Sequence, residues 1–125
     1  QANFNCTVSL MEFKNIKGIL QQLDQPSQDQ LFDELQDIIF TELDPLAEIE
    51  LRKPSYVYIL QPEKDMQQSE EVFDRMNERL IALLRETYPT VGFRTRYVIE
   101  NLEATDSYNA LLNRLSERIQ DEIIT

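Results

Sequence analysis

Two hydrophobic periods follow one another at the start of the chain. Apolar and polar residues alternate along residues 3–8, with Cys6 on the apolar side, so we predict a short strand there. The run SLME at residues 9–12 then matches a capping box, in which a serine and a glutamate three positions later each bond the other's backbone N–H. We therefore predict a helix over residues 10–23. Gly18 inside it favours a close neighbour, because glycine costs about 1 kcal/mol against alanine in a helix.

A second helix is predicted over residues 27–43. Ser27 and Gln30 form another capping box, and the apolar residues that follow recur three or four positions apart. The polar side of this helix carries an acidic residue every four positions, namely Asp29, Asp33 and Asp37.

The next segment, residues 47–61, has the alternation and the β-branched and aromatic content of strands. Lys53-Pro54 interrupts it, which leaves two interpretations open: two strands joined by a tight turn, or one long edge strand in which Pro54 stands where no ladder donor is needed. Tyr56 and Tyr58 share one side of the second half. Paired tyrosines on an edge strand are typical of a protein interface, although ordinary half-buried sheet residues give the same pattern.

The remaining elements are a helix, a strand and a last helix. The third helix begins at Asp65 or Ser69 and reaches about residue 87, and a strand follows at residues 92–99. That strand should carry Arg94 and Arg96 on one face and Phe93 and Tyr97 on the other. Thr105 or Asp106 caps the last helix, whose narrow apolar stripe resembles a coiled-coil seam. The stripe consists of Tyr108, Leu112, Leu115, Ile119 and Ile123.

The resulting order is β-α-α-β-β-α-β-α. Because helices and strands do not alternate strictly, we predict an α+β fold: a small, mostly antiparallel sheet packed against four helices, with the helices on one face. The 125 residues are enough for one domain over 1–125. A start at Gln1 rather than Met and a last helix without a stop signal favour processing or excision from a longer chain.

Charge narrows the classes of partner. The net charge is −11, and residues 24–50 hold nine acidic residues and no Lys or Arg. Such a chain repels phosphate backbones, so we do not expect nucleic acid as a partner. No apolar run approaches the roughly 18 residues that a membrane span needs.

A single cysteine, Cys6, excludes an intramolecular disulfide and favours a reducing compartment such as the cytoplasm. Its place in the apolar alternation indicates a buried, inert thiol.

The residue inventory removes most catalytic chemistry. The chain has no histidine, one cysteine and two glycines, so a Ser-His-Asp or Cys-His site, a structural zinc site and a glycine-rich phosphate loop are all missing. We therefore assign no catalytic residue, no cofactor and no metal ligand. Carboxylate chemistry is still available, because the aspartates of the second helix could hold Mg²⁺ or Ca²⁺, but a solvated helix face explains them as well.

We expect a non-catalytic regulatory or protein-interaction domain. Its acidic helix would steer a partner with a basic surface, and an apolar and tyrosine-bearing patch would supply affinity. The last helix is also predicted either to form a homodimer or to transmit a change to whatever follows it. The partner-binding residues we select are Asp29, Asp33, Asp37, Tyr56, Tyr58, Leu112, Leu115 and Ile119. Two alternatives stay open: a carboxylate-based, divalent-metal-dependent enzyme or metal-binding protein, and an acidic mimic that occupies the basic site of a nucleic-acid-binding protein.

Overall fold

The computed structural model describes residues 6–102 and 108–124, and it confirms the α+β class and the order of elements. Residues 3–5 of the first predicted strand and the proposed caps Thr105 and Asp106 lie outside the described residues, as do the side chains of Tyr108 and Ile123. The elements are β1 (Cys6–Lys14), α1 (Ile16–Leu20), α2 (Gln25–Glu42), β2 (Glu48–Arg52), β3 (Tyr56–Pro62), α3 (Met66–Thr87), β4 (Arg94–Asn101) and α4 (Tyr108–Ile124).

The four strands form one antiparallel sheet in the order β2-β3-β1-β4. The segment around Lys53-Pro54 is thus a turn between two paired strands, which decides between the two interpretations of residues 47–61. Tyr56 and Tyr58 lie on β3, an interior strand, so the expectation that they lie on an edge strand was wrong. The physical reason is that β1 pairs along the whole side of β3 that β2 leaves open.

Helices cover both faces of the sheet, which corrects the prediction of a single helical face. One core lies between the sheet and α1, α2 and α3, and it includes Met11 and Phe13 of β1. The second core lies on the opposite face, where Val8 and Leu10 of β1 meet α4. The chain is therefore a three-layer arrangement with the sheet in the middle.

The two cores explain why the first predicted helix boundary was wrong. Residues 9–12 lie inside β1, which continues to Lys14, and α1 spans only Ile16–Leu20. Both faces of this sheet are covered, so its central strand is buried along most of its length. The strict alternation of apolar and polar residues therefore ends after Val8. Ser9 is fully buried in that strand instead of capping a helix. Asn15, with a positive φ of 68°, makes the turn into α1.

The N-cap of helix α2 lies three residues before Ser27, the cap that the capping-box pattern indicated. The carboxylate of Asp24 accepts a hydrogen bond from the backbone N–H of Ser27 at 2.9 Å, so Asp24 is the cap and Pro26 lies in the first turn. Proline is tolerated there, because the first-turn N–H groups have no partner within the helix. For α3 the prediction of Asp65 is confirmed: Asp65 and Gln68 form a reciprocal capping box.

Two smaller expectations can also be compared with the structure. An added Cβ at Gly18 would lie 3.2 Å from Val91 Cγ1, which confirms that a neighbour needs the space there. Cys6 is free and buried, and burial raises the pKa of its thiol, as expected for an inert cysteine. Within the described residues, none of the helices is long and apolar enough to cross a membrane.

Candidate functional site

The exposed side of α2 brings three carboxylates and an aromatic ring together. Asp29, Asp33 and Asp37 are all exposed, as their spacing predicted. Phe40 follows Asp37 by three positions and Asp33 by seven, so it shares their side of the helix. Its side chain is 52% exposed, although large apolar side chains are usually buried. We call Asp29, Asp33, Asp37 and Phe40 the acidic face.

Other acids near the end of α2 are already paired. Glu42 accepts from Arg75 at 3.3 Å and from Arg79 at 3.1 Å, which ties α2 to α3. Asp44 lies 2.9 Å from Lys64 Nζ. Leu46, which lies between α2 and β2, is 60% exposed and is the second large apolar side chain that the described residues present to solvent. Glu42 therefore links α2 to α3 at the surface, while the acidic face points away from the fold.

The remaining predicted partner-binding residues lie on the other side of the sheet. Leu112, Leu115 and Ile119 of α4 are buried in the second core against Tyr58, and Tyr56 packs beside them. The Tyr58 hydroxyl lies 3.2 Å from Ser116 Oγ. The structure thus brings these five residues together, but it turns the α4 residues inward. Self-association through them stays a prediction that requires α4 to move.

A polar row crosses the sheet beneath α4. Glu12 of β1 lies directly opposite Tyr56 of β3 and Arg96 of β4 in the strand register. Arg96 Nη2 donates to Glu12 Oε1 at 3.2 Å, and Tyr56 Oη donates to Glu12 Oε2 at 3.4 Å. Arg96 also donates to the carbonyl of Ile119 in α4 at 3.3 Å. Burial and the neighbouring Glu12 charge raise the pKa of Tyr56.

The prediction that the basic and the aromatic residues of β4 lie on opposite faces of the strand is confirmed. Arg96 lies with Glu12 on the α4 side, whereas the ring of Tyr97 stacks on Phe73 of α3 on the opposite side, with centroids 4.7 Å apart. The basic and aromatic residues of this strand thus do not share an accessible face, and Arg96 is used in an internal ion pair.

A cavity of about 860 Å³ opens at the end of the sheet where β1 meets α1. Its wall includes Glu12 and Tyr56 of the polar row, together with Lys14, Lys17 and Thr90. The volume falls within the range of small-molecule sites. Two lysines at one cavity are notable in a chain with a net charge of −11. This site was not predicted from the sequence, because its wall comes from three segments that are distant along the chain. The two lysines were the signal in the sequence that could have indicated a binding site.

The described residues bring no three Asp, Glu, Cys or His side chains together in a way that could hold a metal ion. Asp29, Asp33 and Asp37 follow one another along α2, one turn apart, so their carboxylates are spread along the helix axis instead of converging. Metal binding by these aspartates therefore has no geometric support.

No protein-family model matches the sequence, and the curated proteins contain no significant match. Solved structures do share the fold. A chain of the crystal structure of the diguanylate cyclase SiaD with its activator SiaC, from Pseudomonas aeruginosa, aligns with a TM-score of 0.74 and 15% identity over 94% of this chain and 45% of that chain. The GGDEF domain of DgcB from Caulobacter crescentus, in complex with c-di-GMP, aligns with a TM-score of 0.74 and 8% identity over 91% of this chain and 69% of that chain.

The active GGEEF domain of a diguanylate cyclase from Vibrio cholerae is similar as well, with a TM-score of 0.70 and 11% identity over 90% of this chain and 72% of that domain. At these identities the likeness concerns the fold alone. This chain spans less than half the length of the SiaD–SiaC chain that it matches.

Proposed function

We propose that this chain is a non-catalytic regulatory domain of the cytoplasm that binds a protein partner with a basic surface. The observation that carries the proposal is the acidic face of α2, where Phe40 is 52% exposed among three exposed aspartates. An exposed aromatic ring surrounded by charge is the composition of an interface anchor with a polar rim.

The two components of this face have different roles in binding. The carboxylates attract a basic surface from a distance, which raises the association rate and makes that rate depend on salt. Phe40 would enter an apolar pocket of the partner and supply most of the contact energy. A fold that also occurs in a complex between a diguanylate cyclase and its activator supports a regulatory role. The five-letter string that names GGDEF domains is absent from this sequence, which supports a role other than cyclase.

The test is a comparison of two charge-reversal variants. In the first, Asp29, Asp33 and Asp37 are changed to Lys; in the control, the exposed α3 residues Glu71, Glu78 and Glu86 are changed to Lys, which alters the net charge equally. Partners that co-purify with the unchanged chain are identified, and association rates are measured against salt concentration.

We expect the first variant to associate at least tenfold more slowly with a flattened salt dependence, and the control to change much less. Phe40→Ala should chiefly raise the dissociation rate. Equal effects of the two charge reversals would contradict docking through the acidic face. If added nucleic acid competes for the partner, the acidic face acts as a nucleic-acid mimic.

The cavity favours a second candidate function, the binding of a cyclic dinucleotide. Lys14 and Lys17 line a space of about 860 Å³, and the fold occurs in a GGDEF domain in complex with c-di-GMP. Calorimetry with c-di-GMP tests this directly. We expect Lys14→Gln combined with Lys17→Gln to weaken binding, and Lys64→Gln, which lies in the ion pair with Asp44, to leave it unchanged. No heat of binding to the unchanged chain would exclude this ligand.

A further inference from the structure

We propose that Glu12 connects the cavity to the C-terminal helix, so that a group which draws Glu12 toward the cavity loosens the docking of α4 on the sheet. The proposal concerns regulation through the cavity described above. It rests on the second candidate function only for the identity of the ligand that enters the cavity. The connection itself is built from the side chains of the polar row.

The first step is the place of Glu12 between two sites. Glu12 lies in the cavity wall with its side chain 13% exposed, and its carboxylate accepts hydrogen bonds from Arg96 at 3.2 Å and from Tyr56 at 3.4 Å. A ligand group that binds Glu12 or displaces it therefore acts directly on Arg96. No further residue has to transmit the change.

The second step is the dependence of Arg96 on Glu12. The Arg96 side chain is only 19% exposed, and its Nε is buried without a hydrogen-bond partner among the described residues. The guanidinium reaches the Ile119 carbonyl of α4 from this position. Removing the carboxylate leaves a largely buried cation without its counter-charge, which is costly. Arg96 would then turn toward water and give up its hydrogen bond to α4.

The third step is the packing of α4 near this contact. A hollow of about 140 Å³ separates part of α4 from the sheet, with Tyr56 and Ile119 in its wall. Another charged contact of the helix, between Arg118 and Glu100 at 3.0 Å, lies at the surface, where the arginine is 44% exposed, and Arg118 also donates to the Ile99 carbonyl at 2.8 Å. Exposed ion pairs contribute little, whereas Arg96 contacts α4 from beneath the helix, where its side chain is largely buried.

Hydrogen exchange in the whole chain without any ligand tests the connection. In Glu12→Gln we expect the amides of residues 112–119 to exchange about tenfold faster, the size expected when a hydrogen bond from a charged group is lost. The amides of residues 72–84 in α3 should change much less. Glu100→Gln is the matched control, because it neutralises a carboxylate that pairs with α4 but does not line the cavity.

Two further variants keep the inference testable if Glu12→Gln folds poorly. Arg96→Lys retains the charge but removes Nη2, the nitrogen that donates to both Glu12 and the Ile119 carbonyl, so it should reproduce the faster exchange in α4. Leu115→Ala loosens α4 from the apolar side, and its effect on stability should combine non-additively with Glu12→Gln. The inference would be overturned by equal acceleration of hydrogen exchange in α3 and α4 or by unchanged exchange in α4. Strict additivity of the two stability effects would overturn it as well. Failure of c-di-GMP to bind would not affect these results.

Discussion

The hydroxyl groups of Thr7 and Ser69 lie 2.6 Å apart in the interior, where they join the central strand β1 to α3. Both side chains are fully buried. A buried hydroxyl that loses its partner keeps the cost of desolvation without the compensating hydrogen bond.

We therefore expect Thr7→Val and Ser69→Ala each to lower the free energy of unfolding by about 1–3 kcal/mol in urea titrations. The double variant should recover part of that loss, because no hydroxyl is then left unpaired. Ser9→Ala is the control: its hydroxyl is buried and has no partner among the described residues, so its removal should cost less than either single change. Additive losses in the double variant would mean that the hydrogen bond contributes little.

The start of α2 provides a second prediction. Asp24 caps the helix through its bond to the Ser27 N–H, and hydrogen bonding from the Ser27 side chain and then from its backbone lowers the pKa of the Asp24 carboxyl. Asp24→Ala should lower the urea midpoint at neutral pH, whereas Ser27→Ala should have a smaller effect. A lowered folded-state pKa gives stability above the unfolded pKa that is lost as the pH falls through the folded value, so the difference between the chain and Asp24→Ala should shrink in acid. A larger effect of Ser27→Ala would restore Ser27 as the cap.

Gly18 and Val91 are expected to be coupled. Alanine at position 18 gains up to about 1 kcal/mol of helix propensity, but its Cβ would lie 3.2 Å from Val91 Cγ1. Val91 is only partly buried and has room to adjust, so we expect Gly18→Ala to change stability by less than about 1 kcal/mol. In a Val91→Ala background the same change should be clearly stabilising. The measurement is a double-mutant cycle by thermal melting, and additivity would show that the two positions do not meet.

From the raised pKa of Tyr97 we predict that the folded chain loses stability at alkaline pH. Its burial, the Asp74 carboxylate that its hydroxyl bonds at 3.2 Å and the charge of Glu70 raise its pKa to about 12. An unfolded tyrosine has a pKa of about 10. A raised folded-state pKa gives stability that is complete below pH 10 and is lost as the pH rises toward 12. Unfolding at pH 9–12 should therefore show a steeper fall for the unchanged chain than for Tyr97→Phe. Identical slopes would contradict the pKa shift.

The elements with a clear local signal were predictable from the sequence. Helix α3 has a cap at Asp65, a hydrophobic stripe and a stop before Pro89, and each of these is a local feature of the chain. The aspartates of the acidic face were predictable for the same reason, because helical spacing alone places Asp29, Asp33 and Asp37 on one side. The exposed Phe40 was not predicted, since an apolar residue in a helix is expected to face the core.

The first helix boundary and the cavity depended on long-range contacts. The pattern at Ser9 to Glu12 is compatible with a capping box, but pairing of β1 with strands on both sides buries these residues and stabilises the strand instead. The cavity and the polar row arise where three turns or three strands meet, so their residues are close only after folding. A capping pattern alone is therefore not sufficient evidence for a helix start.

By itself, the sequence determined the class of fold, the order of the elements, the row of aspartates along α2 and the lack of histidine-based chemistry. These follow from residue type, spacing and periodicity, which act within a few residues along the chain. Tertiary structure decided that α4 covers the second face of the sheet, that Tyr58 and Leu115 share a core, and that Glu12 joins Arg96 beneath a helix. Strand order and register bring these residues together, and both are set by the burial of two sheet faces at once.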